Sequence, residues 1–117
     1  MAVTFETVRE LVLALPGVAE GTSYGTPAFR VGGKFLLRLK EDGESLAVKI
    51  GIDERDMLIT ADPETFYITD HYRGYPAVLV RLSAIDRERL CEMLEEAWRF
   101  CAPKRLVAAR ERGAQGG

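Results

Sequence analysis

One histidine and two cysteines are all that the 117 residues offer of the side chains that most often bind transition metals or carry redox chemistry. His71 stands alone and the cysteines, Cys91 and Cys101, lie far from it, so no zinc-type ligand spacing exists. Both cysteines fall on one expected helix. Ten residues at 1.5 Å each separate them by roughly 15 Å, beyond the ~7 Å that a disulfide tolerates. They are expected to be buried free thiols, which suits a reducing compartment.

Other absences narrow the chemistry further. There is no Gly-x-Ser-x-Gly elbow. Gly32-Gly33 is not followed by a helix that would aim N–H groups at a phosphate. Glu41, Asp42 and Glu44 are the nearest thing to a hard-cation cluster, and a solvated turn accounts for them. No apolar run approaches the roughly 20 residues that span a bilayer. The segment Met1–Glu6 lacks a basic stretch followed by an apolar one. A cytoplasmic, non-membrane chain without catalysis, metal or cofactor is therefore expected. Nor is there an excess of cations: 16 Lys and Arg face 18 Asp and Glu, and the pI is near 5.5. A DNA-binding domain dominated by electrostatics has a pI above about 9. Any polyanion must here meet a local basic patch.

What is present is enough apolar material, 47% of residues, for one core. A single domain over residues 1–112 is expected, monomeric, with a disordered tail at 113–117. Thr4 can cap a first helix from Phe5 to about Ala14, with Phe5, Val8, Leu11, Val12 and Leu15 on one side. Pro16-Gly17 stops it. From Thr26 to Ile50 the period changes to two, giving a three-stranded antiparallel meander with turns at Gly32-Gly33 and Glu41–Glu44. In the middle strand Phe35, Leu37 and Leu39 are expected inward, and Leu36, Arg38 and Lys40 outward. Asp53 is placed as the cap of a helix over about Glu54–Thr60. Brief strands follow at Phe66–Ile68 and Tyr75–Leu82. Ser83 with Asp86 has capping-box spacing and opens the longest helix, Ala84 to about Cys101. A last short helix runs from Pro103 to near Glu111. The expectation is an α+β fold, α-β-β-β-α-β-β-α-α, with about five antiparallel strands and helices on one face.

The most informative feature is where the charges fall. Every charged residue expected within a strand is basic, while the acidic ones fall in helices or turns. The outward strand positions collect Arg30, Arg38, Lys40, Lys49 and Arg81, with Tyr24 and Tyr75 nearby. Lys104 and Arg105 belong to a second basic cluster near the end. This composition suits phosphate contacts with some stacking, and these seven cations are the candidate nucleic-acid contacts. Binding would be weak and not sequence-specific, because no recognition helix is evident. If the C-terminal helices cover the face, the arginine stems become packing material. The alternative is a protein or small-ligand module using the loop at 69–76, where Tyr24, His71, Tyr72, Arg73 and Tyr75 are the candidates. An enzyme using His71 with Asp70 is a third reading.

Several stretches in order resemble one family: Leu13-Ala14-Leu15-Pro16-Gly17-Val18-Ala19-Glu20, then Tyr24-Gly25-Thr26-Pro27-Ala28-Phe29-Arg30-Val31, Lys34-Phe35-Leu36, His71-Tyr72-Arg73-Gly74-Tyr75-Pro76 and Glu96-Ala97-Trp98. Together they are similar to the MmcQ/YjbR family of small bacterial proteins, over about residues 4–111. The resemblance implies a fold like that of bacterial frataxin (CyaY-like) and DNA binding. It carries over no catalytic residue. The frataxin comparison also implies an acidic first helix for iron. Here that helix offers only Glu6 and Glu10, with Arg9 between them, so iron delivery is not expected.

Overall fold

The computed structural model describes residues 3–116. Six strands form one antiparallel sheet: β1 (Val18–Ser23), β2 (Thr26–Val31), β3 (Lys34–Leu39), β4 (Ser45–Lys49), β5 (Phe66–Tyr67) and β6 (Ala77–Arg81). Their order is β1-β2-β3-β4-β6-β5, so the chain leaves β4, lays down the edge strand β5, and returns to fill the gap with β6. Four α-helices accompany the sheet: α1 (Phe5–Leu13), α2 (Ile52–Ala61), α3 (Arg87–Cys101) and α4 (Lys104–Gly116). The expected α+β class holds, with one strand more than expected. The helix α4 continues into the stretch expected as a tail, and Gly117 lies outside the described residues.

The extra strand is β1. Its burial is low because it is an edge strand, so no period-two apolar signal marks it. A turn at Tyr24-Gly25, both with positive φ (54° and 79°), joins it to β2. Such two-residue turns match the twist of the strands they join. Gly32-Gly33 is the expected hairpin turn, with φ of +59° and +80°, and a Cβ on Gly32 would lie 2.7 Å from the Pro103 ring. Glycine is therefore required there both by conformation and by the approach of the α3–α4 junction.

One face of the sheet carries the core. Phe29, Leu37, Val48 and Val78 line up across β2, β3, β4 and β6, and Leu46, Val80 and Phe66 form the next row. Val8 and Val12 of α1 and Leu90, Leu94, Ala97 and Trp98 of α3 close over them. The Trp98 indole N–H donates to Pro16 O at 2.8 Å, which ties the end of the α1 segment to α3.

The alternation expected in β3 is broken by a bulge. Phe29 pairs with Leu37 but Arg30 pairs with Phe35, so Leu36 is an extra residue. Leu36 and Leu37 both enter the core, and Phe35 is only half-buried and shares the outer face with Arg30. The expected positions of Phe35 and Leu36 are thus exchanged.

Three caps and one thiol also differ from expectation. Thr4 sits at the N-cap of α1 without a side-chain cap bond. Gly51, not Asp53, is the N-cap of α2. Asp86, not Ser83, caps α3, accepting from Arg89 N at 2.8 Å, because Arg81–Ala84 closes as a turn, Ala84 N donating to Arg81 O, before the helix starts. Cys101 is buried as expected, and burial pushes its thiol up to about 11. Cys91 is exposed, one position off the buried Leu90–Leu94 stripe.

Candidate functional site

The face of the sheet opposite the core mixes small and large residues along its central row. The register aligns Gly21, Ala28, Arg38, Ala47, Leu79 and Tyr67 across the six strands. Above the β4–β6 half lies a 3-10 turn, Asp70–Tyr72, whose tyrosine packs with Ala47, Ala77 and Leu79 in a small second cluster. The outer face is therefore half covered, and its cover is the 68–76 loop rather than the C-terminal helices. The β1–β2–β3 half has no element over it among the described residues.

An arginine that reads as a surface residue in the sequence holds the cover in place. Arg55, on α2 and only 4% exposed, donates from Nη1 to Tyr72 O (3.1 Å) and Tyr75 O (2.9 Å) and from Nη2 to Arg73 O (3.3 Å). Its Nε meets Asp56 at 3.0 Å. Nothing in the spacing of α2 separates Arg55 from its acidic neighbours, so only the fold exposes this role.

The outer charged strand positions are all cationic, but they are not equally free. Arg38 is 8% exposed. It donates weakly to Thr26 Oγ1, Leu39 O and Glu41 Oε1, each at 3.4 Å. The Arg81 guanidinium lies 3.9 Å from the Tyr67 ring centre and donates to Pro63 O and Glu64 O. These two brace the face. Arg30, Lys40 and Lys49 are half-buried, and no carboxylate among the described residues forms an ion pair with them. Lys40 Nζ stands 5.3 Å from the Tyr72 ring centre. Lys104 and Arg105 are exposed on α4, which packs Leu106 and Val107 against the main core, so they belong to the helical layer and not to this face. The expectation that acidic residues avoid strands fails at Glu20 on β1. That carboxylate lies on the helical side, where Arg9 of α1 binds it through Nε and Nη2 and holds it below the usual carboxylate range.

Tyr24 is the most prominent aromatic group. It is 82% exposed, its backbone is left-handed, and the Arg38 guanidinium lies 5.0 Å from its ring centre. Of the loop candidates, Tyr72 is buried, whereas Tyr75, His71 and Arg73 are exposed. The His71 ring meets Tyr72 edge-on at 5.2 Å. Asp70 is engaged by Arg73 at 2.5 Å rather than by His71. The tyrosines do not converge on one groove: Tyr67 bonds Ser45 Oγ through its hydroxyl (3.1 Å) beneath Arg81, and Tyr72 is spent on packing.

Comparison with known proteins gives a consistent picture. A family model described as YjbR matches residues 13–100. The uncharacterized protein Rv2570 of Mycobacterium tuberculosis is 36% identical over 125 aligned positions, covering 91% of this chain and 94% of its own length. The uncharacterized protein Mb2600 of Mycobacterium bovis matches equally. The crystal structure of Deinococcus radiodurans DR2400, with the domain DUF419, superposes with a TM-score of 0.70 at 22% identity. That match covers 83% of this chain and 77% of DR2400 and speaks to the fold alone.

Proposed function

We propose that this chain, which belongs to the YjbR family, is a weak, sequence-independent DNA-binding module that performs no catalysis. The observation that carries the reading is the outer sheet face. Its charged strand positions are exclusively basic, and Tyr24 is presented beside them with its ring against Arg38. Arg30, Lys40 and Lys49 supply the phosphate contacts, and Arg38 serves as the base of the tyrosine platform rather than as a phosphate ligand. A cationic face beside an exposed aromatic ring suits a single strand, whose bases can stack.

The test is fluorescence anisotropy of a labelled 20-base single strand, and of the matching duplex, across a salt series. Three phosphate contacts give a log–log slope of about −2 for the single strand and about −2.7 for the duplex. The single strand is expected to bind more tightly. Lys40→Glu with Lys49→Glu should abolish binding at low salt while leaving the far-UV CD spectrum unchanged. Wild-type affinity in that double variant, or no binding by the parent at low salt, removes the reading.

A further inference from the structure

The helical layer is not closed. α2 leans on β5 and β6, while α3 lies over β3 and β4. Between the two helices runs an open groove of about 570 Å³. Its lining falls on one side of each helix: Glu54, Met57, Leu58 and Ala61 on α2, and Arg89, Glu92, Met93, Glu95 and Glu96 on α3. The α2 set is i, i+3, i+4, i+7, one stripe of a helix, and the α3 set is the same stripe with Glu95 beside it. On α2 the apolar Met57, Leu58 and Ala61 follow the charged Glu54, on α3 Met93 is the one apolar side chain among charged neighbours, and Ile50 closes the floor. Met57 is 71% exposed, a large apolar side chain with nothing over it. At the N-terminal end of α2 the exposed Phe100 of α3 lies beside Gly51, and Ile52, the first residue of α2, is exposed as well. A contiguous apolar strip with a polar rim marks an interaction surface.

The rim states the chemistry of the partner. Glu54, Glu92 and Glu96 are exposed and form no ion pair among the described residues. Arg89 is the single cation of the lining, and its guanidinium is turned over the Phe66 ring, 5.6 Å from the centre. Glu95 is committed to Arg110 and Arg99. We propose that this α2–α3 groove docks a short basic amphipathic helix of another protein, seating its apolar stripe on Met57, Leu58 and Met93 and its lysines or arginines against Glu54, Glu92 and Glu96. Methionine floors adapt to varied apolar side chains, and an apolar groove with a charged rim is the setting of helix-in-groove recognition. α2 spans ten residues, ~15 Å, enough for a partner of two to three turns. This surface lies on the opposite side of the sheet from the DNA-binding face and does not depend on it.

The probe is a fluorescein-labelled 18-residue leucine–lysine peptide with leucines at helical spacing. Its controls are a scrambled peptide of the same composition and a leucine–glutamate peptide. The full chain is expected to bind the basic helix at micromolar concentration and the controls at least ten times more weakly. With methyl-labelled methionine, the Met57 and Met93 signals should move on titration. Met57→Glu should weaken binding at least tenfold. Glu92→Lys with Glu96→Lys should reverse the preference towards the acidic peptide. All these positions but Met93 are exposed, so thermal melts should be little changed. Equal binding of the scrambled peptide, methionine signals that stay put, or wild-type affinity in Met57→Glu would each overturn the proposal.

Discussion

Tyr24 sets conformation against exposure. A non-glycine residue in the left-handed region costs roughly 1–2 kcal/mol, and the ring gains little burial in return because it is 82% exposed. A partly exposed cation–π contact with Arg38 returns only about 0.5–1 kcal/mol. Asparagine tolerates the same backbone better. Tyr24→Asn is therefore expected to raise stability by about 0.5 kcal/mol, read by urea denaturation, while weakening single-strand binding by tenfold or more. A variant that is both more stable and binds as before would mean that the tyrosine is not a stacking platform. Cys91 and Cys101 offer a second test at this scale. At pH 8 one equivalent of iodoacetamide should label the exposed Cys91. The buried Cys101, whose thiol is pushed up to about 11, should react only on unfolding.

At the level of elements, the β3 bulge decides which side chains are core. Leu36→Ala should cost about 2–4 kcal/mol, as a buried leucine does, and Phe35→Ala much less, although simple alternation assigns them the opposite roles. The meander itself was legible because Phe29, Val31, Leu37, Leu46 and Val48 alternate with polar or small residues. The bulge was not, since Phe35, Leu36 and Leu37 are all apolar and period alone cannot tell which two share a face. β1 was hidden for a related reason: an edge strand buries too little to leave a pattern. The basic character of the outer face was readable from Arg30, Arg38, Lys40, Lys49 and Arg81, but which of them are free depends on tertiary partners. The same holds for Arg55, whose contacts lie 17 to 20 residues away. Arg55→Met keeps the length of the stem and removes the hydrogen bonds to three carbonyls, that of the buried Tyr72 among them. It should cost about 2–3 kcal/mol, and hydrogen exchange should show the amides of Tyr72, Arg73 and Tyr75 losing protection while those of β3 and β4 keep theirs.

Across the whole molecule, ion pairs between neighbouring elements and hydrogen bonds within a turn hold several carboxylates in their charged form, and this fixes how stability responds to pH. Glu20 is held below its usual range by Arg9, linking β1 to α1, and Glu95 by Arg110, linking α3 to α4. Asp42 is lowered chiefly by the backbone N–H of Glu44 within the β3–β4 turn, and Glu41 first by its own backbone and then by Arg38. Each folded value lies below the unfolded one. Their contribution is therefore present above the ordinary carboxylate range near pH 4–4.5 and is lost as pH falls through the folded values. At the other end, Cys101 is raised from 9.0 to about 11. Between these values the unfolded thiol ionises first, so the folded state loses ground as pH rises. The melting temperature should thus be nearly flat from pH 5 to 8, fall below about pH 4, and fall again above about pH 9. Substitution separates the two limbs. Glu95→Gln should flatten part of the acid limb, and because the Glu95–Arg110 pair is about one-third exposed, 1 M salt should weaken it in the parent as well. Cys101→Ala should lower the plateau through the lost packing but reduce the fall between pH 9 and 11. An alkaline limb as steep in Cys101→Ala as in the parent would show that lysine and tyrosine titration, and not the buried thiol, governs that side of the profile.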